Sequence, residues 1–256
     1  MVTAVLTAIL CLSADAERVE LKVEGADRQA LVFAPAAPPA SGAPVVFVFH
    51  GHGGNMQATA KKWRIEERWP EAVVIYPQGV PTPTPVDPEG RRSGWQRMPG
   101  AHDDRDLKLF DALLAMAGKR WRVDDSRVYA AGHSNGAVFS YLLWAQRPKT
   151  LAAVAPCAAP RTDAGPLMPL PVMHIAGRAD RVASFAAQEK TIEEVRRVCR
   201  CSEQGESWAE HCTIYPSTSG TPLVTFIHDG GHIVPDEALP LVVRFFKEHA
   251  RPAVAR

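Results

Sequence analysis

Gly132-His133-Ser134-Asn135-Gly136 stands between two apolar runs. Arg127-Val128-Tyr129-Ala130-Ala131 precedes it, and Ala137-Val138-Phe139-Ser140-Tyr141-Leu142-Leu143-Trp144 follows. The first run reads as a strand and the second as a helix. The pentapeptide is then a sharp strand-to-helix turn, the setting in which the serine of G-x-S-x-G acts as a nucleophile. Its two glycines let the chain turn with no side chain in the way. Ser134 is thereby held in a strained conformation, with its hydroxyl clear of the sheet. The flanks carry this reading, because the pentapeptide alone is common by chance and a serine there could simply cap the helix.

The same strand–helix alternation extends to both sides of the turn. Residues 18–24 alternate apolar and polar, as a half-exposed antiparallel strand does, and 29–33 form its hairpin partner. A Pro- and Ala-rich linker, 34–44, leads into Val45-Val46-Phe47-Val48-Phe49, whose unbroken apolar character suits a strand buried on both faces. A helix over 55–69 and a buried strand over 72–76 follow. Helix 104–121 carries Leu107, Phe110, Leu113, Leu114 and Ala117 at helical spacing. Beyond the turn, strands at 151–155, 172–175 and 223–227 alternate with helices at 184–198 and 236–249. This is an α/β protein with a mostly parallel central sheet, helices on both faces and an antiparallel N-terminal hairpin. No repeat or boundary divides it, so 17–256 is expected to be a single catalytic domain. Segment 77–102 is the irregular part, because Pro81-Thr82-Pro83-Thr84-Pro85 can form neither helix nor inner strand. A loop this long at the carboxyl end of a strand is usually functional. Trp95, Gln96 and Met98 are therefore candidate substrate contacts, although Trp95 could equally pin the loop to the core.

With 256 residues, 46% of them hydrophobic, the chain can bury one sizeable core. A formal net charge of +1 argues against nucleic acid or an anionic membrane as the main partner. Residues 2–12 are apolar but shorter than the roughly 20 residues a bilayer span requires. Ala14-Asp15-Ala16 after them reads as a cleavage site, so 1–16 is expected to be a signal peptide, though no Lys or Arg opens it. The expected location is secreted or periplasmic. Cys11 leaves with the leader, and the remaining Cys157, Cys199, Cys201 and Cys212 are an even set suited to an oxidising compartment. Cys199 and Cys201 are close neighbours in sequence, so each is expected to pair elsewhere. Cys201–Cys212 would staple the polar stretch 202–207, and Cys157–Cys199 follows by elimination.

A nucleophilic serine needs a base, and the base needs an orienting acid. Asp180 follows strand 172–175 and His232 follows strand 223–227, both on the edge of the sheet that carries Ser134. Asp229 and Asp163 are weaker alternatives for the acid. His228 and His174 read as packed histidines, and His133 supports rather than reacts. The loop His50-Gly51-His52-Gly53-Gly54 lies where backbone amides gather for an oxyanion. The N–H groups of His52 and Asn135 are the expected donors, with Gly53 in reserve. No spacing supports a metal site, and no cofactor is expected.

Four motifs together resemble the polyhydroxybutyrate depolymerase and feruloyl esterase branch of the α/β-hydrolases. They are His50-Gly-x-Gly-Gly-Asn55, Gly132-His-Ser-Asn-Gly-Ala137, Gly177-x-x-Asp180 and Gly230-Gly-His232. The likeness covers about residues 44–235 and includes the pair Asp103-Asp104 at a helix start. It implies an α/β-hydrolase fold, secretion, no cofactor, and hydrolysis of carboxylic esters through an acyl-enzyme. Two departures bear on substrate. Val234 stands where that branch often has tryptophan, and Ala176 stands where it often has histidine before glycine. Trp95, His133 and Val234 are the expected substrate-side residues. The expectation is a secreted, monomeric serine esterase acting on a small or polymeric ester, with Ser134, His232 and Asp180 as its triad. A peptidase of the same fold and a non-catalytic binding module are the alternatives.

Overall fold

In the computed structural model, which describes residues 16–252, the unbroken apolar runs become the middle of one ten-stranded sheet. The chain opens on the expected hairpin, β1 (Ala16–Val23) with β2 (Ala26–Phe33). It continues through β3 (Ala43–Phe49), β4 (Val73–Pro77) and a two-residue ribbon of β5 (Val80–Pro81) and β6 (Ser93–Gly94). Then come β7 (Val123–His133), β8 (Ala153–Cys157), β9 (Val172–Gly177), a hairpin of β10 (Glu206–Ala209) and β11 (Cys212–Tyr215), and β12 (Leu223–His228). The sheet order is β1-β2-β4-β3-β7-β8-β9-β12-β11-β10. Strands β4 through β12 in that order pair in parallel, and the two hairpins close the edges in antiparallel fashion. The expected leader lies outside the described residues except for Ala16, which opens β1.

Helices cover both faces, and the period-two alternation of the strands divides the core between them. Val45, Phe47, Val73 and Ile75 pack on one side with α3 (Arg105–Arg120), α4 (Asn135–Gln146) and α5 (Phe185–Val198). Val46, Val48, Val74 and Tyr76 pack on the other with α1 (Met56–Trp63), α2 (Ile65–Arg68) and α6 (Ala238–Lys247). Residues 135–144 of α4 are all buried, which is why that helix is apolar all round rather than amphipathic.

Two expectations, the helix over 55–69 and the disulfides, need correction. The helix expected over 55–69 is two helices, because Arg64 adopts the left-handed region at φ 43° between them. Glu206–Ala209 and Cys212–Tyr215, over which the sequence reading places no strand, extend the sheet as β10 and β11. Asp104 stands at the start of α3, as expected, and its carboxylate accepts from Gly100 N and Gln96 Nε2, both at 2.8 Å, which closes the preceding loop. Neither expected disulfide is present, and Cys157, Cys199, Cys201 and Cys212 are thiols. The reason is the sheet itself. Cys157 and Cys212 pack in the core of one face, Cys199 and Cys201 against that of the other, so both expected pairs would have to cross it. Cys199 and Cys201 lie side by side, close enough for a thiol–thiol hydrogen bond.

Helix α4 begins directly on the strand ends. A Cβ on Gly136 would collide with the carbonyl of Phe49 and come within 2.7 Å of that of His50, both backbone atoms. Gly136→Ala should therefore cost about 3 kcal/mol. That corresponds to a fall in Tm of roughly 6–12 °C by thermal unfolding. A change below about 2 °C would contradict this packing.

Candidate active site

The strand β7 runs out at His133, and the chain reverses within one residue. Ser134 takes φ 55° and ψ −120°, a strained conformation for a residue with a side chain, enforced by the glycine contacts on either side. Its hydroxyl lies 2.8 Å from His232 Nε2, and His232 Nδ1 lies 2.8 Å from Asp180 Oδ2. A carboxylate only accepts, so His232 Nδ1–H donates to Asp180 and Nε2 is left to accept the Ser134 proton. The sequence-expected serine, histidine and aspartate thus form one hydrogen-bonded row, supplied by the loops after β7, β12 and β9. Asp229 is almost wholly exposed and faces Arg178. His228 Nδ1 accepts from Gly230 N at 3.1 Å within its own loop.

The Asp180 side chain is fully buried. Burial would raise its pKa, but hydrogen bonds from His232 and from the amides of Ala183 and Val182 outweigh it. They hold the carboxyl below its usual range. A further line of groups reaches Asp180 from behind. Gln188 Nε2 donates to Ala183 O at 2.7 Å and, more loosely, to Asp180 Oδ2 at 3.4 Å, which leaves Gln188 Oε1 to accept from His174 Nε2. His174 Nδ1 must then accept from the Tyr141 hydroxyl, 2.6 Å away. His174 is therefore a satisfied core histidine, as expected, and also part of the support behind Asp180.

The loop after β3 meets the start of α4 beside Ser134. Gly53 N–H donates to Ser93 O and Gly54 N–H to Gly51 O, so the reserve donor Gly53 is already engaged. The N–H groups of His52 and Asn135 meet no acceptor among the described residues, and Asn135 opens a helix whose first amides are unpaired by geometry. The His52 ring is held by Asp87 Oδ2 at 3.0 Å, which ties the Pro-rich loop to this amide pair. His50 is buried, accepts from Gly79 N at 2.9 Å and donates from Nδ1 to Gly51 O at 2.7 Å.

Two cavities flank Ser134. One, about 380 Å³, is lined by Asn55, Lys62, His133, His232 and Val234. The other, about 350 Å³, runs between the Pro-rich loop and α4, past Thr84, Val86, Arg97, Val138 and Val182. His133 and Val234 thus reach the cleft as expected. Trp95 does not. It is completely buried, donates from Nε1 to His50 O at 2.8 Å, and lines neither cavity, so the expectation of a substrate contact is corrected to that of a loop pin. Beside it the buried Asp106 takes Gln96 N and Arg28 Nη2, fastening the same loop to β2. A wider cleft of about 570 Å³ between α5 and β10–β11 is lined by Ser207, Cys212, Thr213 and His211, but among the described residues none of these nucleophile candidates is hydrogen-bonded to a histidine. No group of His, Cys, Asp and Glu is placed to hold a metal among the described residues, and none of their helices is long and apolar enough to cross a membrane.

An acetyl xylan esterase from Aspergillus awamori superposes with a TM-score of 0.72 at 13% identity, over 91% of this chain and 99% of that one. The chain has the α/β-hydrolase fold. A ferulic acid esterase shares this α/β-hydrolase fold at TM-score 0.62 and 16% identity, over 91% and 100% of the two chains. In sequence, 188 residues (72% of the chain) are 26% identical to a bifunctional acetylxylan esterase/xylanase of Neocallimastix patriciarum, and cover 26% of that protein. The chain therefore spans about a quarter of the length of that curated relative. No protein-family model matches. The likeness to feruloyl esterases read from the motifs recurs in sequence, where 111 residues (43% of the chain) are 30% identical to a probable feruloyl esterase C of Aspergillus oryzae and cover 38% of it.

What the motifs missed is the wall made by the irregular loop. Trp95 and Gln96 both point inward, which turns the next residue, Arg97, to the cavity. Three histidines around the site are buried neutral. Burial pulls His50, His133 and His174 from 6.5 down to about 4. The unfolded chain thus binds more protons than the folded one between those values. The stability they contribute is complete above 6.5 and is lost as pH falls from there towards about 4. Tm should be level in the neutral range and begin to drop near pH 6.5, above the range in which carboxylates titrate. A Tm unchanged between about pH 7 and pH 5 would contradict this.

Proposed function

We propose that the protein is a serine carboxylic ester hydrolase with Ser134 as nucleophile, His232 as general acid–base and Asp180 as the group that orients the imidazole. The single observation behind this reading is the continuous row Ser134 Oγ–His232 Nε2, His232 Nδ1–Asp180 Oδ2, at 2.8 Å in both links. Ser134 Oγ adds to the ester carbonyl carbon while its proton passes to His232 Nε2. The resulting imidazolium is stabilised by the ionised Asp180. The carbonyl oxygen becomes an oxyanion and accepts from the N–H groups of His52 and Asn135. Collapse expels the alkoxide, which leaves as alcohol with the proton from His232. Water then attacks the acyl-serine by the same route, releasing the acid and restoring the hydroxyl.

Expression as a secreted or periplasmic protein fits the predicted leader. The substrate belongs to the class that the related esterases' names describe, esters borne by plant polymers, with hydroxyalkanoate esters as the second possibility raised by the motifs. His133 and Val234 line the more polar cavity, where Lys62 and Asn55 offer hydrogen bonds suited to a hydroxyl-rich alcohol portion.

A panel of 4-nitrophenyl acetate, 4-nitrophenyl butyrate, methyl ferulate and a hydroxybutyrate oligomer tests this reading. Ser134→Ala should lower kcat by about 10⁴–10⁶-fold on whichever esters the wild type turns over, with Tm unchanged. No turnover of any ester by folded wild type, or equal turnover by the variant, would overturn it.

A further inference from the structure

The second cavity holds a charge that the hydrolytic row does not use. Arg97 is half-buried on its wall, with Ser134 and His232 at the same cavity's end. Burial holds its guanidinium below the ordinary value, and no carboxylate or hydrogen-bond acceptor offsets that among the described residues. Arginines near it are engaged: Arg92 with Asp87 at 3.8 Å, Arg105 with Thr82 at 2.6 Å, Arg161 with Glu194 at 2.5 Å. No Asp or Glu lines this cavity, and apart from its histidines Arg97 is its one ionisable side chain.

The placement of Arg97 is not loose. Trp95 and Gln96 before it are buried, and its own carbonyl accepts from Thr162 Oγ1 at 2.9 Å, so the backbone is clamped on both sides. Thr84 lies on the same wall; it is 8% exposed, and its hydroxyl is buried with no hydrogen-bond partner among the described residues. The rest of the lining is largely apolar, with Val86 and Val182 exposed at the rim. A largely apolar cavity with an uncompensated guanidinium on its wall suits a short carbon chain ending in an anion. Arginine's planar fork matches a carboxylate in particular.

We propose that Arg97 makes this cavity a recognition site for a carboxylate carried by the substrate, so that the enzyme favours esters bearing a free acid group over neutral esters of the same length. The inference rests on the ester-hydrolase reading and adds a substrate class to it. The carboxylate can belong to the acyl portion, as in a half-ester of a dicarboxylic acid, or to the alcohol portion. The chemistry at Arg97 is the same in both cases.

Two matched pairs separate these sources. For the acyl side, mono-4-nitrophenyl glutarate is compared with 4-nitrophenyl valerate. For the alcohol side, 4-(butyryloxy)benzoate is compared with its neutral methyl ester. Rates are corrected with Ser134→Ala as the blank. The readout is the anionic-to-neutral ratio of kcat/KM in wild type, Arg97→Gln and Arg97→Lys. In at least one pair the ratio should fall by about tenfold in Arg97→Gln, the modest end for a half-exposed charge. Arg97→Lys, which keeps the charge without the fork, should be intermediate. The pair that responds identifies the side of the ester. A ratio unchanged by Arg97→Gln in both pairs overturns the inference. Should that variant not fold, a ratio equal to wild type in Arg97→Lys, or a wild type that disfavours the anion in both pairs, does the same. Failure of the wild type to turn over even the neutral esters would instead overturn the ester-hydrolase reading, and this inference with it.

Discussion

Everything at the site depends on how closely the first turn of α4 rests on the ends of β3 and β7. Gly136 lies against the carbonyls of Phe49 and His50, and Gly132 lies against Gly136 itself. No side chain fits into either gap. The helix therefore starts at the sheet edge rather than a few ångströms beyond it, and the one residue left to make the turn, Ser134, is driven to a positive φ. The same contact brings the loop after β3 alongside the unpaired amide of Asn135. The exposed turn at Ser134 and the amide pair are thus two consequences of a single backbone approach, which costs strain at Ser134 and is held in place by a helix buried along nearly its whole length.

Buried polar groups extend that rigidity outwards. Each would be costly if left unpaired, so each specifies where its partners must be. Asp106 binds Arg28 and the amide of Gln96, and Asn135 exchanges hydrogen bonds with the backbone of Trp95. Together they press a proline-rich segment without regular structure against the active edge. On the other side, Tyr141, His174 and Gln188 form a line of donors that ends at Asp180. Asp180 is thus steadied from behind at Oδ2, the oxygen that also accepts from His232, while its Oδ1 takes the amides of Val182 and Ala183.

Much of this was legible in the residues. Strands buried on both faces betray themselves as unbroken apolar runs, and Val45 to Phe49 could be nothing else. Ser134, Asp180 and His232 could be located because each follows such a run, and the parallel sheet brings all those ends to one edge. What depended on distant partners was not legible. The break at Arg64 leaves no local signal of proline or glycine. The cysteine pairings failed because adjacency in sequence says nothing about which face of the sheet a side chain joins. Trp95 looked like a ligand contact until its indole N–H met the carbonyl of His50, and that carbonyl is fixed by a strand 45 residues away. Its displacement from the cleft is also what turns Arg97 towards it.

The central claim is that Ser134 is the activated nucleophile of this edge, and covalent trapping tests it most directly. The protein would be treated with a fluorophosphonate, digested, and the modified residue located by mass spectrometry. The account predicts one adduct per chain, on the peptide bearing Ser134, formed far more slowly in His232→Ala than in wild type. An adduct on another serine, such as Ser93 or Ser184, or no adduct on the folded protein, would contradict it.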